Sequence, residues 1–234
     1  MEHTARNHEL SPFLLKKVLL ILVLISLVTL LSGKIMSTFY TYDYAYSNGE
    51  YLYELRSLPV TFAMVAKVFR VVAASVLLLS FLLLYPGKPM ARILLPLVYV
   101  FVFVDLLAQY MGTVDSLDGV ADEVLRKATV IPAVFISLIP AFLFAMGAVC
   151  ALTGLMGKVF LKIPAGVNMV VYGLFVFANA VTSKYAIAQG RVLVPVSTML
   201  QGIGYIALCV SLWIVASKVT ITPVLPVFAK KNIQ

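Results

Sequence analysis

Six apolar runs, each ended by a short polar break, constrain this chain more than any other feature. They cover residues 13–35, 60–85, 93–111, 130–153, 166–183 and 192–217. At 1.5 Å rise per residue, each is about long enough to cross a hydrocarbon core roughly 30 Å thick. Only 12% of residues are charged and 62% are hydrophobic. Soluble domains carry about 25% charged residues, so a water-soluble fold could not hide this much apolar surface. The expected fold is all-α: six transmembrane helices with short loops, forming one domain over 13–217 between tails 1–12 and 218–234. The first run exceeds a signal-peptide core and has no A-x-A site after it, so it reads as a retained helix.

The net charge of +8 is explained by membrane orientation. The basic residues flank the apolar runs rather than forming a patch on a soluble face, which argues against a nucleic-acid partner. With both termini inside, the inner segments hold ten Lys and Arg (such as Arg6, Lys16, Lys17, Lys88, Arg92 and Lys218). The outer segments hold six: Lys34, Arg56, Arg126, Lys127, Lys184 and Arg191. Seven of the ten acidic residues fall in the outer loops. The expected location is the plasma (inner) membrane with cytoplasmic termini. The expected partners are the lipid bilayer and either other membrane subunits or further copies of the chain.

Two outer segments carry local signals. Tyr40, Tyr42, Tyr44 and Tyr46 precede Asn48-Gly49, and Tyr51 and Tyr53 follow it. Asn-Gly is a hairpin turn signal, and pairing across it would place the tyrosines on one face of a small extracytoplasmic hairpin over 38–55. A helical or irregular loop with tyrosines at headgroup level also fits the composition. In 115–127, Leu117, Val120, Val124 and Leu125 recur at helical spacing, with Asp122–Arg126 and Glu123–Lys127 as i,i+4 pairs. That spacing predicts a short amphipathic surface helix.

Asp115-x-x-Asp118-Gly119 resembles the opening of the CDP-alcohol phosphotransferase signature. The match ends there. Asp122 and Glu123 occupy the Ala-Arg positions, and no acidic residue follows Glu123, so the family's metal site cannot be completed. Other enzyme classes lack their residues as well. His3 and His8 are the only histidines and both lie in the tail, which removes Ser–His hydrolysis, His-ligated haem and an H-E-x-x-H zinc site from the bilayer. Asp105 is the one carboxylate inside a span, so a paired-aspartate protease is excluded. Neither enzyme activity nor a cofactor is expected, and Cys150 and Cys209 read as small apolar residues of the spans.

What remains is a sparse intramembrane polar set: Lys67, Arg70, Asp105, Gln109, Asn179 and Gln201. Charges within spans are costly and either pair or line a cavity. Counted from the inner helix ends, Arg70 lies about 22 Å up and Asp105 about 18 Å up, within a helical turn of each other. An Arg70–Asp105 pair joining the second and third spans is the expected consequence. The sequence thus points first to a small permease or channel-like transport protein, or the membrane subunit of a transport complex. A non-catalytic accessory or scaffold protein is the alternative, and a membrane-embedded enzyme comes third. A polar cavity reaching Asp105 and Arg70 separates the first from the second.

Overall fold

The computed structural model describes residues 12–47, 58–85, 90–115, 123–154, 157–188 and 193–218, together with Val224. Apart from caps and turns these residues are helical, and no strand occurs among them. The helices are α1 (Pro12–Ser47), α2 (Leu58–Leu84), α3 (Ala91–Asp115), α4 (Glu123–Ala133), α5 (Ile139–Thr153), α6 (Val159–Ala188) and α7 (Leu193–Lys218). A π-helical turn, Val134–Leu138, joins α4 to α5 without a break, so the described residues form six rods. Five of these contain apolar stretches long enough to cross a membrane: 13–37, 91–114, 130–153, 159–181 and 195–218. In α2 the comparable stretch is shorter, Val68–Leu84.

Packing follows chain order. Each rod lies against the next, and α1 returns against α7 to close a ring. The closing seam depends on small residues. A Cβ on Gly33 of α1 would stand 2.9 Å from the Ser197 carbonyl oxygen and 2.7 Å from Gln201 Cγ on α7. One on Gly204 of α7 would stand 2.5 Å from Leu30 Cγ. Without side chains at these points the two backbones approach closely, as membrane helices do where small residues line the contact. At the end of α5, Gly154 adopts φ 71° and its N–H donates to the Cys150 carbonyl, a left-handed cap that costs glycine little.

The distribution of polarity is inverted relative to a soluble bundle. Phe13, Val28, Phe142, Leu174 and Phe177 are at least 60% exposed, whereas Ser26, Lys34, Ser75, Asp105, Asn168 and Ser211 are at most 2% exposed. In water such an exterior would aggregate. Against lipid it costs nothing, and the polar residues are the ones that must turn inward. Below Asp105 the interior is filled by Leu78, Leu95, Tyr99, Phe144, Leu208 and Leu212.

One local expectation is corrected in its described part, and another is described only at its ends. Residues 38–47, the first arm of the expected hairpin over 38–55, continue α1 as helix. Extending a helix already nucleated in the membrane fixes one residue per added hydrogen bond. A lone two-stranded hairpin is marginal. Residues 48–55 lie outside the described set. The expected surface helix over 115–127 is described only at its two ends. Asp115 ends α3, and Glu123–Lys127 opens the rod that continues into α5. The Glu123–Lys127 pair is formed at 2.6 Å on an exposed face, whereas Asp122 and the Arg126 side chain fall outside the described set.

Candidate functional site

Asp105 is 2% exposed near the middle of α3 and gathers partners from the surrounding rods. Its Oδ2 accepts from the Tyr205 hydroxyl of α7 and from Gln109 Nε2, one turn further along α3, at 3.0 Å. Lys34 Nζ of α1 stands 4.0 Å from the same oxygen. Arg70 Nε of α2 stands 3.7 Å from the other, Oδ1. The depth argument from helix rise thus meets the geometry: consecutive antiparallel helices bring Arg70 and Asp105 level with each other.

Gln109 extends the network. Its Nε2 also donates to the Tyr205 hydroxyl at 2.7 Å, and its Oε1 accepts from the Tyr172 hydroxyl of α6 at 3.3 Å. The Tyr172 and Tyr205 rings are stacked with centroids 4.4 Å apart. This stack holds both hydroxyls at the level of the carboxylate.

An open cavity of about 650 Å³ runs from this cluster toward the helix ends opposite Pro12 and Lys218. Every rod contributes to its wall: Lys34, Arg70, Asp105, Gln109 and Thr113, Ser137, Phe175 and Gln201. From Asp105 to Thr113 it follows α3 for about 12 Å. Gly112 and Pro132 at its rim are exposed. Ser137 owes its place to the π-turn. The Ile139 N–H donates to Val134 O, one residue further back than in an α-helix. Pro140, just beyond, has no N–H to give to the Ile136 carbonyl. Such π-insertions recur at functional sites.

Within the cluster one contact is left open. Arg70 Nε and Asp105 Oδ1 are both buried, and neither has a hydrogen-bond partner among the described residues. A guanidinium closes on a carboxylate at about 2.7–2.9 Å when free to do so. Here the separation is 3.7 Å.

Of the residues singled out from the sequence, Arg70, Asp105, Gln109 and Gln201 come together around the cavity. Gln201 also donates from Nε2 to the Gly33 carbonyl at 3.2 Å. Asn179 does not join them: its Nδ2 donates to the Pro195 carbonyl at 2.9 Å and ties α6 to α7. Lys67 lies one turn before Arg70 on α2, and its side chain is outside the described set. Sequence reasoning missed Lys34, Tyr172, Tyr205 and Asn168. Lys34 ends an apolar run, where a lysine ordinarily marks the interface, yet α1 continues beyond it to Ser47. Asn168 is fully buried on α6, donates to Cys209 Sγ at 3.6 Å, and lies outside the cavity. No cluster of three or more His, Cys, Asp or Glu able to hold a metal occurs among the described residues.

Compared with protein-family models, with curated proteins and with solved structures, the chain matches none. The class that fold and site together define is a multi-helix membrane protein with an open cavity lined by charged side chains of both signs.

Proposed function

We propose that the chain is a six-span transport protein, a small permease or channel-like subunit, with Asp105 at the inner end of its solute cavity. One observation carries this reading: the polar cavity penetrates the bundle as far as Asp105 and Arg70. A protein using these charges only to fix helix packing would close them in a dense core. Irregular backbone beside the cavity, at Val134–Leu138, adds support, since non-helical backbone at membrane depth is tolerated where it lines such a space. In this reading α2 is the sixth span. Its 27 residues extend about 40 Å, and Arg70 crosses because Asp105 meets it. Both termini are cytoplasmic and the membrane is the plasma membrane, with other subunits or further copies as neighbours.

The test is flux through proteoliposomes containing the purified wild-type chain, with Asp105→Asn for comparison. Solute uptake by the wild type, lost or altered in the variant, is expected. If neither the wild type nor its co-purifying complex moves any small solute across the membrane, the accessory reading replaces this one.

A further inference from the structure

We propose that the cavity binds a free α-amino acid as its zwitterion, with the carboxylate on Arg70 and the ammonium on Asp105. This names a solute class for the transport reading, and it rests on that reading for what the binding serves.

The first argument is a pair of unmet atoms. Arg70 Nε carries an N–H, Asp105 Oδ1 carries lone pairs, and both are buried with no hydrogen-bond partner among the described residues. Both residues line the cavity. The two atoms stand 3.7 Å apart, too far to satisfy each other. A buried pair offsets its desolvation only when its hydrogen bonds are well made. A single water bonded to both at about 2.8 Å would subtend roughly 80° at its oxygen, well inside the tetrahedral angle. Two separate ligand atoms, an acceptor beside a donor, meet the pair without that bend.

The second argument is local charge. The unmet donor is cationic and the unmet acceptor is anionic. A carboxylate as the ligand's acceptor and an ammonium as its donor make both contacts charge-assisted. A guanidinium has further N–H groups beside Nε, and its fork matches the two oxygens of a carboxylate. In an α-amino acid both charged groups sit on one carbon, so they reach this pair together. A zwitterion has no net charge, so it leaves the electrostatic balance of the rest of the wall as it was. Asp105 is held for the contact. Tyr205 and Gln109 donate to Oδ2, and Lys34 stands 4.0 Å from that same oxygen, which leaves Oδ1 to the ligand.

The third argument is the place for a side chain. Ile136 and Phe175 line the same cavity, and Phe175 packs edge-on against Tyr172 with ring centroids 6.3 Å apart. Tyr172 in turn donates to Gln109, so this apolar surface is tied to the network that fixes Asp105. About 650 Å³ falls within the range of small-molecule pockets. An amino acid with an apolar side chain uses the charges and the apolar wall together.

The experiment measures the thermal midpoint and the binding isotherm of the purified full chain in detergent. The probes are phenylalanine, glycine, 3-phenylpropanoate, 3-phenyllactate and 2-phenylethylammonium. Phenylalanine should bind and raise the midpoint. The three analogues that lack one of its charges should each bind about ten- to hundredfold more weakly. Glycine, which lacks the side chain, should bind about tenfold more weakly. Arg70→Gln should bring phenylalanine down to the affinity of 2-phenylethylammonium. The proposal is overturned if any single-charge analogue binds as tightly as phenylalanine, if Arg70→Gln leaves phenylalanine binding unchanged, or if no amino acid binds and water alone fills the gap. Equal binding of glycine and phenylalanine overturns the role given to Ile136 and Phe175. Should Arg70→Gln fail to fold, the wild-type probe series decides alone. Flux distinguishes the two readings. Amino-acid binding without flux keeps this inference and removes transport, whereas flux of another solute without amino-acid binding does the reverse.

Discussion

Replacing Asp105 by Asn should destabilise the protein by about 3–5 kcal/mol, the range for removing one partner of a buried ion pair. The change is nearly isosteric. The Asn carbonyl can still accept from Tyr205 and Gln109, so what disappears is the negative charge. At an effective dielectric constant near 20, a unit charge pair at the observed separations of 3.7 Å and 4.0 Å is worth about 4 kcal/mol gross for each contact. The two contributions do not lead to the same loss. Arg70 has 27% of its side chain exposed and can turn toward the cavity, whereas Lys34 is only 2% exposed. The Lys34 ammonium should therefore account for most of the cost. It follows that Asp105→Asn combined with Lys34→Met should recover at least half of the lost stability, and the combination with Arg70→Gln should recover less. Unfolding by SDS in mixed micelles, followed by the fluorescence of Trp213, the only tryptophan, gives the free energies for both cycles. Additive losses in the Lys34 cycle, or an Asp105→Asn variant within about 1 kcal/mol of wild type, would refute the reasoning.

Three further outcomes are expected. Gly33→Ala should cost about 1–3 kcal/mol because its Cβ meets the Ser197 carbonyl and Gln201 of α7. Gly112→Ala, where nothing lies within 4 Å, should be neutral or stabilising by up to about 1 kcal/mol; the same micelle titration ranks them. Cys209, with no exposed surface, should resist maleimide in the folded protein and react at the rate of unfolding. In intact cells a cysteine placed at Ser47 should be labelled by an impermeant reagent and a reporter at Gln234 should read as cytoplasmic; labelling at Ser47 only after permeabilisation would reverse the orientation.

The depth of Arg70 and Asp105 was legible in the sequence because a spanning helix converts residue number into height at a fixed rise. Short breaks between runs made consecutive helices antiparallel neighbours, so level residues on the second and third rods could be expected to meet. The helical class and the apolar spans follow from composition for a similar reason: lipid accepts few residue types and few backbone forms. Rotation about each helix axis, by contrast, is not written in hydropathy when every face is apolar. Only packing turned Tyr172 and Tyr205 inward to stack at the level of Asp105. Only the closure of α1 against α7 through Gly33 and Gly204 brought Lys34, which the sequence places at an interface, to within 4.0 Å of the carboxylate. The tyrosines before Asn48, read by their two-residue period, answered instead to the helix before them, whose extension to Ser47 is cheaper than a new hairpin. The sequence put Arg70 and Asp105 level with each other on neighbouring helices. The tertiary structure decided which charges share a cavity, because that depends on which helix faces come together across the ring.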